Sequence, residues 1–509
     1  MKAVLAIDQG TTGSTAIVLD EHGAELGRGY AEFTQHYPRP GWVEHDATEL
    51  WDTTLRVARE AIAASGGRVG ESARGGGAGQ APEIVALGIT NQRETAVAWD
   101  RETGRPLHRA IVWQDRRTAA RCRELKPRED WLRERTGLVA DPYFTATKLE
   151  WLLEHAPAVR AAADGGRLAV GTVDAWLIWK LTGGAVHATD PTNASRTLLY
   201  GLRERAWDEQ LLELFGVPAA ALPEVRPSSG DFGHTTPDLF GAPLLIGGVA
   251  GDQQAALFGQ GCVRAGMAKN TYGTGAFLLL HTGDEPVPSK HGLLTTVACG
   301  PTGQPAYALE GAIFIAGAAV QWLRDGLEIL GTAAETEVLA GSLESNDGVY
   351  FVPAFVGLGG PHWEPEARGT IVGLTRGNTR AHLARAALEA MAYSTFDVLE
   401  AMEADSGVAA RELAIDGGAS ANDWLAGFQA DIVNLPVRRP KMVETTALGA
   451  AGLAGIAAGV WKDADAFLHA RPEPDRFEPG PRAAEREALI AGWRRAVEAA
   501  LTWARAGHA

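Results

Sequence analysis

Three cysteines, Cys122, Cys262 and Cys299, are all the chain has, and no two stand in a C-x-x-C spacing. That excludes a disulfide framework and a cysteine zinc site, and leaves three buried, reduced thiols as the expectation. Long apolar runs are missing as well. The longest, "ALGAAGLAGIAAGV" (447–460), is short for a bilayer span and rich in glycine, so it reads as a close-packed core helix. The apolar run at the N-terminus stops at Asp8, short of a signal peptide, and the expected location is the cytoplasm, with no membrane insertion. There is no excess of base: the net charge is −16, with no basic stripe, which excludes nucleic acid as a partner. Two nucleotide signatures are also lacking. No lysine follows a glycine, so there is no G-x-x-x-x-G-K-[ST], and no G-x-G-x-x-G occurs.

What remains is an ordinary globular mixture, 46% hydrophobic and 22% charged, spread over 509 residues. One hydrophobic core does not serve that length, so two domains or more are expected. "AVLAID" and "STAIVLD" read as strands joined by a Gly/Thr turn, and "EIVALGIT", "TAVAWD" and "AIVWQD" as further strands. Leu50, Trp51, Leu55, Val57, Ala58 and Ile62 give helical spacing over 47–65. Residues 65–82 are nearly all Gly, Ser, Ala and charge, the composition of a flexible surface insert. Deleting 66–79 is expected to leave activity intact. In the second half, "NTYGTGAFLLL" repeats strand, Gly/Thr turn, strand, and "LAIDGGASANDW" brings a third glycine turn that leads into a helix. Two similar α/β halves are therefore expected, 1–250 and 251–509, meeting near 245–260. An amphipathic packing helix closes the chain.

The opening turn, "DQGTTGST", suits an anion. Glycine lets backbone N–H groups converge into a nest, and Thr11 and Thr12 add hydroxyl donors. Asp8 would repel phosphate unless a cation stood between them, which implies Mg²⁺. From the turn alone, a plain hairpin with a solvated aspartate fits equally well.

The turns "DQGTT", "YGTG" and "DGGASAN" together resemble the actin-like ATPase superfamily. "YPRPGWVEHD", "GITNQRET", "IVWQDRRT", "GLVADPYF", "TDPTNASRTLLY", "AGDQQAALFGQG", "KNTYGTGAF" and "ALEGAIFIAGAAVQWLRD" resemble the FGGY carbohydrate kinases, and among them those that phosphorylate glycerol. The resemblance implies an α/β fold of two ribonuclease-H-like domains with a deep cleft between them. It also implies ATP-dependent phosphorylation of glycerol to sn-glycerol 3-phosphate, the entry step of glycerol catabolism. The implied glycerol-binding residues are Arg93, Glu94, Tyr143, Asp252 and Gln253, with Trp113 and Phe277 covering the carbon chain. Asp252 is the implied general base. Alone, it reads equally as a helix cap or a residue ordering Mg²⁺ through water. Thr11, Thr12, Gly13 and Thr274 are the implied phosphate contacts, and Gly317, Gln321, Gly418 and Asn422 surround the adenosine. Asp8 would hold Mg²⁺ through waters. Alone, Arg93 and Glu94 read as a surface ion pair, Trp113 as core, and Gly317 as tight helix packing.

Departures from the pattern are few. Thr15 stands where many relatives carry an arginine that touches the nucleotide. "HTTPDLFGAP" has no arginine where the enterobacterial form binds an inhibitory sugar bisphosphate. His234 falls where some relatives accept a phosphoryl group from a sugar-transport phosphocarrier, though a bare loop histidine is the plainer reading. The family also implies a homodimer or homotetramer. Two other readings remain open: a kinase of a larger polyol or ketose, and a non-catalytic actin-like nucleotide sensor.

Overall fold

The computed structural model describes residues 1–70, 81–442 and 444–506. Their organising elements are two large mixed sheets. In the first, the strand Lys2–Gln9 pairs antiparallel with Gly13–Asp20, which pairs antiparallel with Glu25–Glu32. On its other edge Lys2–Gln9 runs parallel to Glu83–Asn91, and that strand runs parallel to Leu245–Gly251. Lys2–Gln9 is an unbroken apolar run, Ala3 to Ile7, because both faces of this sheet are covered. Leu5, Ile7 and Val18 pack with Trp51 and Val57 of the helix Ala47–Ser65, while Val4, Ala6, Ile17 and Leu19 pack with Leu448 and Ala451 of the helix Thr445–Ala457. The first of these helices starts where the Asp46 carboxylate accepts from the Thr48 and Glu49 amides, and it ends at Gly66 in the left-handed region.

The second sheet repeats the plan. Met267–Tyr272 pairs antiparallel with Ala276–Gly283, which continues through Pro305–Ile313 to Leu294–Cys299. On its other edge Met267–Tyr272 runs parallel to Glu412–Gly417, and that strand runs parallel to Val437–Arg439. The long helix Arg380–Ser406 and the closing helix Arg486–Ala506 pack into its core, where Tyr393 stacks on Trp493.

Several expectations change in detail. The strand read in "AIVWQD" is only Ala110–Ile111; beyond it the chain turns, and the Asp115 carboxylate accepts from the Val43 amide. Within 65–82, Arg68–Val69 pairs with Glu83–Ile84 as part of the first sheet; residues 71–80 lie outside the described ones. The glycine-rich run is the core helix Thr445–Ala457. Its backbone lies against the helix Asp252–Gly259 so closely that a Cβ on Gly449 would meet the Ala255 carbonyl oxygen at 1.8 Å. All three cysteines are free and buried. Among the described residues, no helix is long and apolar enough to cross a membrane.

Candidate active site between the two sheets

Three neighbouring parallel strands of the first sheet end at one edge, and each delivers a polar group there. Lys2–Gln9 brings Asp8, Glu83–Asn91 leads into Arg93 and Glu94, and Leu245–Gly251 leads into Asp252. In open parallel sheets this carboxyl edge is where ligands bind. Asp252 opens the helix Asp252–Gly259, and its Oδ1 accepts the Gln253 amide at 2.7 Å. The same oxygen lies 3.1 Å from Arg93 Nε. The cap position itself is Gly251, so the carboxylate sits in the first turn and is not the cap.

Beside Asp252 lies a buried ionic network. Arg93 Nη1 donates to Glu310 Oε2 at 2.6 Å, Arg196 Nη2 donates to Glu310 Oε1 at 3.0 Å, and Arg196 Nε donates to Glu94 Oε1 at 2.7 Å. Arg93 also donates to Gln254 Oε1 at 3.2 Å and to the Tyr143 hydroxyl at 3.5 Å. The Arg93, Glu94, Arg196 and Glu310 side chains are 2% exposed or less, whereas the Asp252 side chain is 33% exposed. Asp252 is thus the member of the set that opens outward. Burial would raise the Glu310 carboxyl, but Arg196 and Arg93 outweigh it and hold it down at about 2. The Asp252 carboxyl is raised by burial, with Arg93 pulling the other way.

Tyr143 is set by its loop. Buried Lys148 donates to the carbonyls of Pro142, Tyr143 and Phe144 at 2.6, 2.7 and 3.0 Å, which ties the "DPYF" segment to the helix Thr145–His155. The Trp113 ring meets Tyr143 edge-on, with centroids 5.5 Å apart. Trp113 Nε1 donates to Thr11 Oγ1 at 2.9 Å. An indole nitrogen only donates, so the Thr11 oxygen is the acceptor there and its proton is free to point elsewhere. From the second sheet, Lys269, Thr271, Phe277 and Glu310 share one face by register, the face whose Glu310 reaches Arg93. Phe277 is therefore brought to this wall.

Thr274, Gly317, Gln321, Gly418 and Asn422 line one cavity of about 500 Å³. A Cβ on Gly317 would meet the Gly273 carbonyl oxygen at 2.6 Å, so this glycine packs the helix start onto the turn. A Cβ on Gly418 would have nothing within 4 Å. Asn422 caps the helix Asp423–Val433 through its Oδ1 and donates to Thr336 Oγ1 at 3.3 Å. Thr11, Thr12 and Gly13 lie on the hairpin of the first sheet, where Gly10 N–H donates to the Gly13 carbonyl at 2.9 Å. The glycine at 13 answers a neighbouring strand: a Cβ would lie 2.8 Å from the Ala31 carbonyl oxygen. Thr15 stands directly across from Asp8 in that hairpin. The Asp8 carboxyl is pushed up to about 8 by burial, with Asp252 and Glu444 adding to the effect. His234 is exposed in a loop bridged to Leu245, outside the set just described.

Glu310, Arg196 and Lys269 were not singled out in the sequence, although all three fall inside the quoted motifs "ALEGAIF", "TNASRT" and "KNTYGTG". Only the burial of Glu310 and Arg196 against Arg93 and Glu94 reveals their role.

Two mixed sheets of one plan, each built around a glycine hairpin, are the two-domain α/β architecture of the actin-like sugar kinases. The N-terminal domain pattern of the FGGY family of carbohydrate kinases matches residues 3–259, and the C-terminal domain pattern matches 268–458. This chain belongs to the FGGY family of carbohydrate kinases. It is 54% identical over 501 residues to the glycerol kinase of Deinococcus radiodurans, covering 98% of each chain. To glycerol kinase 2 of Thermotoga maritima it is 54% identical, covering 99% of each. The crystal structure of Plasmodium falciparum glycerol kinase with ADP superposes with a TM-score of 0.90 at 34% identity, covering 98% of each chain.

Proposed function

We propose that this chain transfers the γ-phosphoryl group of ATP to a terminal hydroxyl of glycerol, giving ADP and sn-glycerol 3-phosphate. The reading is carried by the convergence of Arg93, Glu94, Tyr143 and Asp252 at one wall, together with a cavity of about 500 Å³ lined by Thr274, Gln321 and Asn422, in a chain 54% identical to proteins named glycerol kinase. Glycerol offers little apolar area, so its binding rests on fixed hydrogen bonds. Arg93 donates, Glu94 accepts, Tyr143 does both, and Gln253 adds an amide. Trp113 and Phe277 flank the carbon chain.

Asp252 is the general base. As the alcohol oxygen bonds to the γ-phosphorus, its proton passes to the Asp252 carboxylate, the bond to the β–γ bridging oxygen breaks, and ADP leaves with that electron pair. Thr11, Thr12, Gly13 and Thr15 approach the phosphates from the first sheet and Thr274 from the second. Gly317, Gln321, Gly418 and Asn422 bound the adenosine.

The residues fit Mg²⁺. Burial first, and then the Asp252 and Glu444 charges, raise the Asp8 carboxyl, so a cation beside Asp8 would offset that cost. Among the described residues no group of three or more His, Cys, Asp or Glu could cage a metal alone. Mg²⁺ keeps several waters and shares phosphate oxygens, which suits Asp8 as a ligand through water. A cation held there would supply neutralisation of the charge that builds on the phosphoryl oxygens.

An ADP-release assay with glycerol, erythritol and xylulose tests the reading. Glycerol is expected to give the highest kcat/KM. A clear preference for xylulose, or nucleotide turnover indifferent to all three, would contradict it.

A further inference from the structure

Lys269 lies on the second sheet, fully buried, yet it forms no ion pair with a carboxylate among the described residues. Its Nζ donates to Thr271 Oγ1 at 2.8 Å and to Gln253 Oε1, reaching across from the second sheet to the first turn of the helix Asp252–Gly259. Burial pulls this amine down to about 8, with the surrounding Asp416, Glu310 and Asp252 charges resisting. An unpaired buried lysine is costly, so what it holds matters.

A glutamine amide has two ends, an acceptor oxygen and a donor NH₂, which exchange places when the group turns over. An ammonium only donates. With Lys269 on one side, the Gln253 oxygen must face the lysine, and Nε2 is turned the other way. Nε2 has no hydrogen-bond partner in the protein among the described residues. Next to it stands Asp252, which accepts a proton. A hydroxyl whose proton points to Asp252 or Glu94 has only its lone pairs to offer a further neighbour. A donor suits it and an acceptor repels it.

We propose that Lys269 is a positioning residue that locks the Gln253 amide with its NH₂ toward the cleft, so that the site offers glycerol a donor there and never an acceptor. This rests on the function proposed above. Phosphate-side placement of Lys269 is not needed: its reach is spent on Gln253 and Thr271.

Steady-state kinetics on four variants test it. Gln253→Glu keeps a partner for Lys269 but presents oxygen to the cleft. Its glycerol KM is expected to rise about tenfold or more, as in Gln253→Ala, the loss of one well-formed hydrogen bond. The ATP KM should stay within about twofold, since a uniform glycerol contact is lost and nothing else. Lys269→Met should raise the glycerol KM about tenfold alone, yet add less than about twofold on a Gln253→Ala background, because both changes remove the same contact. Lys269→Arg, also donor-only, should restore most of the affinity. Wild-type-like glycerol KM in Gln253→Glu would overturn the proposal, and does not depend on whether Lys269→Met folds. So would a full, additive effect of Lys269→Met without Gln253. Turnover of glycerol by the unaltered enzyme, measured alongside, separates these outcomes from failure of the functional reading itself.

Discussion

Glu94 holds a left-handed backbone, φ 61°, which a residue with a side chain rarely adopts. Its carbonyl accepts from Thr145 Oγ1 at 3.0 Å and its carboxylate from Arg196, so neighbours on two other segments keep it there. Strain of this kind gathers at ligand sites. Asp8 carries the other unusual burden. Its folded-state carboxyl sits at about 8 against an ordinary 3.8, so the folded protein binds that proton more tightly than the unfolded chain. The associated stability is whole below about pH 4 and is lost as pH rises through about 8. Without nucleotide or Mg²⁺, Asp8→Asn should therefore melt higher than the parent at pH 8 and above, while turnover with glycerol collapses. Thermal unfolding across pH checks this; an unchanged pH slope would contradict it. Asp8, Arg93, Glu94 and Asp252 stood out as candidates in the sequence because each lies at or just past a strand end beside glycine or a polar pair. The groups that hold them did not. Arg196 and Glu310 are separated by over a hundred residues, and pairing at such distance leaves no local trace.

The hairpin turns were legible for the same local reason. A strand pattern interrupted by Gly and Thr has few ways to fold. The strand expected beyond Ile111 was not, because Asp115 is engaged by Val43 from another segment. Gly418 lines the cavity of about 500 Å³, its backbone needs no glycine, and no protein atom would crowd a Cβ there, so the proposed nucleotide is what a side chain at 418 would meet. Gly418→Ala should raise the ATP KM several-fold and leave both the glycerol KM and the melting temperature unchanged. A drop in melting temperature instead would make the glycine structural. The glycine-rich segment divides in two. Gly66 closes the helix Ala47–Ser65 and Arg68–Val69 joins the sheet. Removing 66–79 should cost about 1 kcal/mol or more, from the lost cap and strand. Removing 71–80 alone should cost activity nothing. Chemical denaturation of the two deletions, with activity, decides between them.

At the scale of the molecule, the sequence boundary near residue 250 separates the two sheets, but the helix Thr445–Ala457 returns to cover the first one. Glu310 is a second tie. It descends from the second sheet and is held by Arg93 and Arg196 of the first half. Glu310→Gln leaves two buried guanidinium groups short of charge and should destabilise the enzyme by about 3 kcal/mol, with a raised glycerol KM. A neutral effect in denaturant unfolding would contradict this. Two sheets of matching plan could be anticipated from paired glycine turns. The return of a distant helix could not, because its apolar face carries no mark of which sheet it covers. The proposed transfer turns above all on Asp252 taking a proton from glycerol. The most direct test is Asp252→Asn, with glycerol binding measured by calorimetry and turnover by ADP release in the same preparation. Binding within about threefold of the parent, with kcat reduced by about a hundredfold or more, is the predicted outcome. Near-parental kcat in that variant would contradict it.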